Sequence, residues 1–151
     1  MQGNLSQAVP TLLMLMGLSR GLTLTYFYGD GSYFVGDVDK DGRPEKGVFY
    51  QDGVIRYYGS YKEGHYHGEG SWYGEGGESY QGEFRGGQAS GRGVFTKEEA
   101  GERVAGQFEN NMVSGRAVWH IPFLGLKLEG VFIRGYAHGP AVVTWNNSGL
   151  R

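Results

Sequence analysis

The sequence predicts an all-β fold, an elongated and twisted antiparallel sheet built from tandem β-hairpins as an open repeat array. Aromatic residues and glycine recur at a fixed spacing along most of the chain. Glycine takes 29 of 151 positions without a Gly-X-Y period, and aromatic residues make up 15%. Large residues alternate with glycine at every second position, which is the periodicity of strands. Glycines this frequent would each cost a helix about 1 kcal/mol.

The best-preserved unit is Tyr57–Trp72, which has the sequence YYGSYKEGHYHGEGSW. Counterparts of its first aromatic residue follow each other every 23 or 24 residues. In each unit the third residue is glycine, the fifth and sixteenth are large, and the fourteenth is small. Such a period is typical of an array in which each unit contacts mainly its neighbours. The five units begin at Phe34, Tyr57, Tyr80, Val104 and Leu128.

Each unit is predicted to form one β-hairpin. Glycines at the eighth and twelfth positions, such as Gly64 and Gly68, favour the positive φ of a loop between its two strands. We therefore expect Gly68 to interrupt the strand. The pairs Asp52-Gly53 and Gly76-Gly77 are typical of turns between units.

A glycine between two aromatic residues leaves a slot in which a ring from the next strand or unit can lie flat. Aromatic pairs each contribute about 0.5–1.5 kcal/mol beyond burial, so a ladder of rings can stabilise a thin sheet. The predicted ladder residues are Tyr57, Gly59, Tyr61, Gly68, Gly70, Trp72, Tyr80, Gly82, Phe84, Phe95, Phe108, Trp119 and Phe132.

Residues 34–151 form the predicted array, and residues 1–33 form an N-terminal leader. Two interpretations of the leader stay open: a degenerate hairpin that starts at Pro10, or a short helix over Leu12–Leu18. The apolar run Thr11–Leu18 is shorter than the about 20 residues that a spanning helix needs. It also lacks the basic segment and cleavage site of a signal peptide, so we expect a cytoplasmic protein.

The pattern Tyr-x-Gly-x-Tyr-x-x-Gly-x-x-x-Gly-x-Gly-x-Trp at Tyr57–Trp72 resembles the MORN (membrane occupation and recognition nexus) repeat. Tyr80, Gly82, Phe84, Gly87, Gly91 and Gly93 repeat it, and the resemblance extends over residues 34–143. The pattern departs from the repeat at Asp41 and Glu45 in the first unit, at Val104, Asn111 and Ala117 in the fourth, and at Leu128 and Ala141 in the fifth.

The resemblance implies a non-enzymatic scaffold or adaptor that binds other proteins. MORN arrays occur in junctional membrane proteins, plant phosphatidylinositol-phosphate kinases, ciliary radial-spoke proteins and cytoskeletal scaffolds of protists. One also precedes the catalytic part of a SET-domain lysine methyltransferase. The alternative functions are a membrane tether that binds phosphoinositides or other acidic phospholipids, and the regulatory array of a larger enzyme of the lipid kinase or methyltransferase type. The implied location is cytoplasmic, at a membrane or the cytoskeleton.

Chemical motifs are sparse. His65, His67 and Glu69 alternate, and two imidazoles with a carboxylate are suitable zinc ligands. We expect them to be loop residues, because Gly68 lies among them. The sequence shows no nucleophile elbow, triad signature or phosphate-binding loop. It therefore predicts no enzyme activity, no metal and no cofactor.

Charge and ring pattern argue against nucleic acid as a partner. The net charge of −2 gives no general attraction to phosphates, and the strict repetition of the rings favours internal packing over base stacking. Lys62, Arg85 and Arg134 fall near the ends of first strands or in the loops after them. They are a candidate patch for lipid headgroups or an acidic partner; the alternative is an ordinary solvated surface.

The last predicted strand is Ala141–Trp145. An open sheet leaves the outer edge of such a strand unpaired, which favours pairing with another chain. We therefore predict self-association as a homodimer through this edge.

Overall fold

The computed structural model describes residues 10–11 and 23–145, which form one open antiparallel sheet with its strands in chain order. The all-β prediction is confirmed. At about 4.8 Å per strand, the sheet extends over about 50 Å. The strands are β1 (Pro10–Thr11), β2 (Thr23–Phe27), β3 (Tyr33–Val38), β4 (Pro44–Gln51), β5 (Val54–Lys62), β6 (His65–Tyr73), β7 (Glu78–Arg85), β8 (Gln88–Lys97), β9 (Glu102–Glu109), β10 (Met112–Ile121), β11 (Leu126–Ile133) and β12 (Tyr136–Trp145).

Five successive hairpins, from β3–β4 to β11–β12, correspond to the five sequence units. Short 3₁₀ turns at Glu98–Ala100 and Pro122–Leu124 connect the last three. In the leader, Pro10 pairs with Tyr26, as Tyr57 pairs with Trp72 in the second hairpin. The Leu12–Leu18 segment lies outside the described residues, so both interpretations of it stay predictions.

The turns inside the hairpins are tighter than the sequence suggests. Glu63 and Gly64 alone connect β5 to β6, with φ of 52° and 79°. Two successive positive φ values are the type I′ geometry, whose twist matches that of the paired strands. Asn111, which replaces a glycine, adopts the same conformation with φ of 66°, as asparagine does at low cost. The other turns of this kind are Gly86-Gly87, Asn110-Asn111 and Arg134-Gly135.

Gly68 bends β6 but does not end it. The pairs Gly59–Gly70 and Tyr61–Tyr66 flank a bulge in which three residues of β6 face one residue of β5. Gly68 lies in this bulge with φ of 66°. Because two residues are added, alternation is preserved, and side chains before and after the bulge share a face.

Two expectations about this region are therefore wrong. Gly68 does not interrupt the strand, and His65 and His67 belong to β6 rather than to a loop. The physical reason is that a glycine with positive φ can be accommodated as a bulge inside a continuous ladder.

The first hairpin differs because Glu45 stands at the bulge position. Its bulge is one residue, since Asp37 pairs with Lys46 and Val38 pairs with Pro44. Its turn is correspondingly longer and closes with a 2.8 Å hydrogen bond from the Asp39 amide to a carbonyl oxygen four residues later. A residue other than glycine at the bulge thus gives a hairpin of different shape.

Candidate interaction surfaces

Two facing glycines form a floor under Tyr57. Its ring lies over Gly59 and Gly70, which pair across β5 and β6. A Cβ atom at Gly70 would lie 2.6 Å from Cζ of Tyr57, and one at Gly59 would lie 2.6 Å from its hydroxyl oxygen. Tyr57 is 0% exposed. The ring over Gly70 thus comes from the neighbouring strand, which is one of the two predicted sources, whereas the ring over Gly59 comes from its own strand.

The third hairpin repeats this arrangement with Tyr80 over Gly82 and Gly93. The Tyr57 hydroxyl donates a 2.9 Å hydrogen bond to the carbonyl oxygen three residues later. Tyr80 makes the same bond to Glu83 at 3.2 Å. Burial, and secondarily the nearby carboxylates, raise the pKa of Tyr80 to about 12. The hydroxyl thus stays neutral and donates.

Rings connect neighbouring hairpins edge to face along what we name the ladder face. Tyr57 lies 5.2 Å from the ring of Tyr61 in its own hairpin and 5.2 Å from Phe84 in the next. Tyr80 repeats this at 5.1 Å from Phe84 and 5.0 Å from Phe108. These edge-to-face contacts are favourable geometries for aromatic pairs.

The predicted ladder residues occupy different depths. Gly68 does not belong to the ladder, because it lies in the bulge and no ring lies over it. The buried rings are Tyr57, Tyr80, Phe84, Phe108 and Phe132, and the half-buried ones are Tyr61, Trp72, Phe95 and Trp119.

In the second hairpin, Tyr57 is covered by a ring that is not among the predicted ladder residues. Tyr66, the tenth residue of its unit, stacks on Tyr57 with ring centroids 3.7 Å apart and planes at 6°. In the third hairpin the tenth residue is Ala89, which is opposite Phe84 as Tyr66 is opposite Tyr61. A comparison of the tenth residue of each unit in the sequence would have revealed this difference.

In the third hairpin no ring is stacked on Tyr80, yet Tyr80 and Ala89 are buried, at 4% and 6% exposed. An apolar cavity of about 360 Å³ adjoins them, and its wall combines residues of three hairpins. Asn111 stands at its margin, where its side-chain oxygen accepts a 2.8 Å hydrogen bond from the Ala89 amide. The rings that line the cavity are Tyr66, Trp72, Tyr80, Phe84, Phe95 and Phe108.

The opposite side of the sheet, the outer face, has a second aromatic area near its N-terminal end. Tyr33 stacks on Tyr50 with centroids 4.6 Å apart, and Phe27 lies 5.6 Å from Tyr33. Phe27 and Tyr58 are each about half exposed. Exposed rings grouped in this way are typical of contact surfaces.

The three candidate cations are exposed and lie on the side of the sheet where the first strands of the hairpins end. Lys62 and Arg85 end β5 and β7, and Arg134 lies in the turn after β11. Arg85 is thus a strand residue rather than a loop residue. Strand spacing puts the first two about 10 Å apart and Arg134 about 20 Å further. Glu109 ends the intervening β9 at the equivalent place, so one acidic residue interrupts the basic series.

The last strand, β12, pairs with β11. Within the described residues it has no second neighbour in the sheet. Tyr136 is 80% exposed and Trp145 69% exposed. Pro140 lies inside this strand and lacks the amide hydrogen that a partner strand would use.

Neither a metal site nor a membrane span is found in the part of the chain that the structure describes. There, no three histidine or carboxylate side chains converge. None of the helices in residues 10–11 and 23–145 is long and apolar enough to cross a bilayer.

No family model matches this sequence, and no curated protein matches it. The resemblance to the MORN repeat therefore stays a prediction that rests on residue spacing.

Proposed function

We propose that this chain is a MORN-type repeat module that acts as a non-enzymatic scaffold for other proteins. One observation carries the proposal: the ladder face has no second layer over it within the described residues, although rings of four successive hairpins are only half buried there. Sheets normally bury an apolar face against another layer. An aromatic face that reaches solvent is suited to the core of a protein interface.

Photo-crosslinking tests this proposal at single positions. A photoreactive phenylalanine analogue replaces Phe95 on the ladder face, and the same analogue replaces Arg92 on the outer face as the control. We expect Phe95 to crosslink a partner protein in cells, and purified components to reproduce the contact. Equal crosslinking from both positions, or none from either, would contradict a scaffold that uses the ladder face.

The competing function is an acidic-lipid tether, and the three exposed cations at one edge favour it. Glu109 among them weakens the attraction to a phosphate surface, since each basic residue contributes only about 1 kcal/mol there. Vesicles with and without phosphatidylinositol phosphates distinguish the functions by co-sedimentation. If the chain is a tether, replacing Lys62, Arg85 and Arg134 by glutamate should abolish vesicle binding. Replacing Arg103 by glutamate, the control, should leave vesicle binding unchanged. The scaffold predicts no lipid-dependent sedimentation.

Two further expectations have direct tests. The gene sequence beyond Arg151 would reveal a catalytic domain if the chain is the regulatory array of an enzyme. Self-association through β12 predicts a concentration-dependent sedimentation coefficient and slow amide exchange over Ala141–Trp145. A monomer at all concentrations with fast exchange in this strand excludes the edge-paired dimer.

A further inference from the structure

The first residue of a unit is covered by the fifth residue of the next unit. The ring centroid of Phe84 lies 5.2 Å from that of Tyr57, and the ring centroid of Phe108 lies 5.0 Å from that of Tyr80. The first residues of the first four units are at most 5% exposed. Leu128, the first residue of the fifth unit, is only half-buried. The described residues contain no sixth unit that could supply a ring to cover it.

The fifth hairpin nevertheless has the place for such a ring. Phe84 is opposite Gly68 of the preceding hairpin, and Phe108 is opposite Gly91. Gly139 holds the same position in β12, with φ of 75° against 66° for Gly68. A Cβ atom at Gly139 would meet nothing within 4 Å. The outer edge of β12 can therefore receive a ring opposite Gly139.

The strand β12 forms an uncharged edge of the described sheet. All ten of its residues are exposed, and none is lysine, arginine, aspartate or glutamate. Edge strands of soluble proteins are commonly protected by charged residues, and an exposed edge without them favours pairing with another strand.

Trp145 distinguishes β12 from the second strands of the other hairpins. It lies on the ladder face, two residues beyond Val143, and is 69% exposed. As the eighteenth residue of its unit, it corresponds to Gln51, Gly74, Lys97 and Ile121 in the other four units. An aromatic ring at this place is thus specific to the last hairpin.

We propose that β12 pairs with β12 of a second copy about a two-fold axis at Val142, and that Trp145 of each copy covers Leu128 of the other. In this antiparallel register Val142 is opposite itself, and Trp145 is opposite Gly139 of the other copy. The inference develops the self-association expected at this edge by naming the register and the ring. It does not depend on the scaffold function.

The direction of the added strand agrees with the arrangement inside the chain. In the other copy β12 would run antiparallel to β12 and therefore parallel to β11, as the first strand of a next unit does. A two-fold axis perpendicular to the sheet keeps the ladder faces of both copies on one side. Trp145 of the other copy thus meets Leu128 from the side on which Phe84 meets Tyr57.

Pro140 is compatible with this pairing. The equivalent residue of the third unit is Arg92, whose amide donates a 3.0 Å hydrogen bond to the Glu83 carboxylate in its own hairpin. The strand β9 therefore pairs with β8 without that amide. The amide that Pro140 lacks is thus not one that this register needs.

Cysteine crosslinking tests the register, because the chain contains no cysteine of its own. Val142→Cys puts two thiols directly opposite each other, with Cα atoms about 4.5–5.5 Å apart, and a disulfide spans that distance. Val143→Cys is the matched control, because its two copies would lie about 8 Å apart, beyond the reach of a disulfide. With oxidised glutathione as the oxidant, we expect a covalent dimer of Val142→Cys alone. Equal crosslinking of both variants, or none of Val142→Cys, would overturn the proposal.

Truncation of the ring tests its part in the contact. Trp145→Ala should raise the dissociation constant of the dimer, measured by sedimentation, at least about tenfold, as for a buried aromatic residue at the centre of an interface. Tyr136→Ala is the matched control, since it removes an 80% exposed ring of the same strand outside the paired segment. Unfolding curves verify that both variants fold. An unchanged dissociation constant for folded Trp145→Ala would overturn the proposal.

Two outcomes separate this inference from the functions considered above. If Val143→Cys crosslinks and Val142→Cys does not, an edge-paired dimer stands in another register and the ring site is wrong. If the parent chain sediments as a monomer at all concentrations, self-association through β12 is wrong as well. Both outcomes leave the scaffold function unaffected, because crosslinking through Phe95 tests it separately.

Discussion

The second and third hairpins have the same floor and differ in what covers it. Tyr57 and Tyr80 each lie on a pair of glycines and donate the same hydrogen bond three residues along the chain. Tyr66 then covers Tyr57, whereas Ala89 at the equivalent position places no ring over Tyr80. One residue thus decides whether a second ring is stacked on the buried tyrosine.

The comparison also explains how a single-layer sheet buries large rings. The bulge at Gly68 adds two residues, so Tyr66 returns to the same face as Tyr57 and serves as its cover. In a two-layer fold that cover would come from another sheet or from a helix. Here the second strand of the same hairpin supplies it.

We expect the largest loss of stability when the ring of Tyr57, which Tyr66 covers, is removed. Tyr57→Ala should lower the free energy of unfolding by about 3–5 kcal/mol, as for other buried aromatic residues. Tyr80→Ala should cost less, because no ring is stacked on Tyr80 and its removal therefore loses fewer contacts. Urea denaturation with unchanged m-values measures both, and equal losses would show that the Tyr66 stack adds no stability.

The glycine floors should be equally intolerant in the two hairpins. Gly70→Ala and Gly93→Ala each place a methyl group against the tyrosine ring, and overpacking of this kind costs about 1–3 kcal/mol. Gly29→Ala is the matched control, since a Cβ there meets nothing within 4 Å. Thermal unfolding of the three variants tests the point, and tolerance of either floor variant would contradict close contact at that floor.

Alkaline pH should weaken the third hairpin in a defined window. The pKa of Tyr80 rises from 10.0 to about 12 because burial disfavours the phenolate. The folded state therefore holds its proton where the unfolded state loses it. This contribution to stability is complete below pH 10 and is lost as the pH rises to 12.

Tyr80→Phe removes the ionisable group and tests that window. Its free energy of unfolding should fall less steeply than that of the parent between pH 10 and 12. Tyr136→Phe, which alters an 80% exposed residue, controls for the general loss of a tyrosine. Parallel curves for Tyr80→Phe and the parent would contradict a raised pKa at this position.

The smallest expected effect concerns the two hairpin turns. Glu63 has φ of 52°, whereas Gly86 fills the same place in the third hairpin with φ of 57°. Left-handed backbone costs an ordinary residue about 1 kcal/mol, and asparagine less. Glu63→Asn should therefore raise the melting temperature slightly, and Gly86→Glu should lower it. A change of the same sign in both would refute the turn assignment.

Much of the fold was predictable because the repeat is local. Each unit is a contiguous hairpin, and large residues alternate with glycine along its strands, so periodicity alone indicates strands, order and an open sheet. The distinction between turn and bulge was not predictable, because Gly64 and Gly68 both have positive φ and differ only in the pairing of the strands around them.

The candidate sites were also only partly predictable. Their residue types and spacing can be read from the sequence, but which of these residues lie close together cannot. Lys62, Arg85 and Arg134 form a series in the sequence, yet Glu109 occupies the equivalent strand end between them. The sequence does not mark Tyr66 as a ladder residue, because its contact with Tyr57 depends on a bulge that brings it over that ring.

The sequence by itself determined the hairpin repeat, the chain order of the strands and the face on which glycines and rings alternate. These follow from side-chain alternation and glycine's conformational freedom, which act within a few residues. Only the tertiary structure decided which ring covers which floor and where a cavity is left. Stacking of Tyr66 on Tyr57, and its absence over Tyr80, depend on strand register and bulge size, which bring residues nine apart into contact.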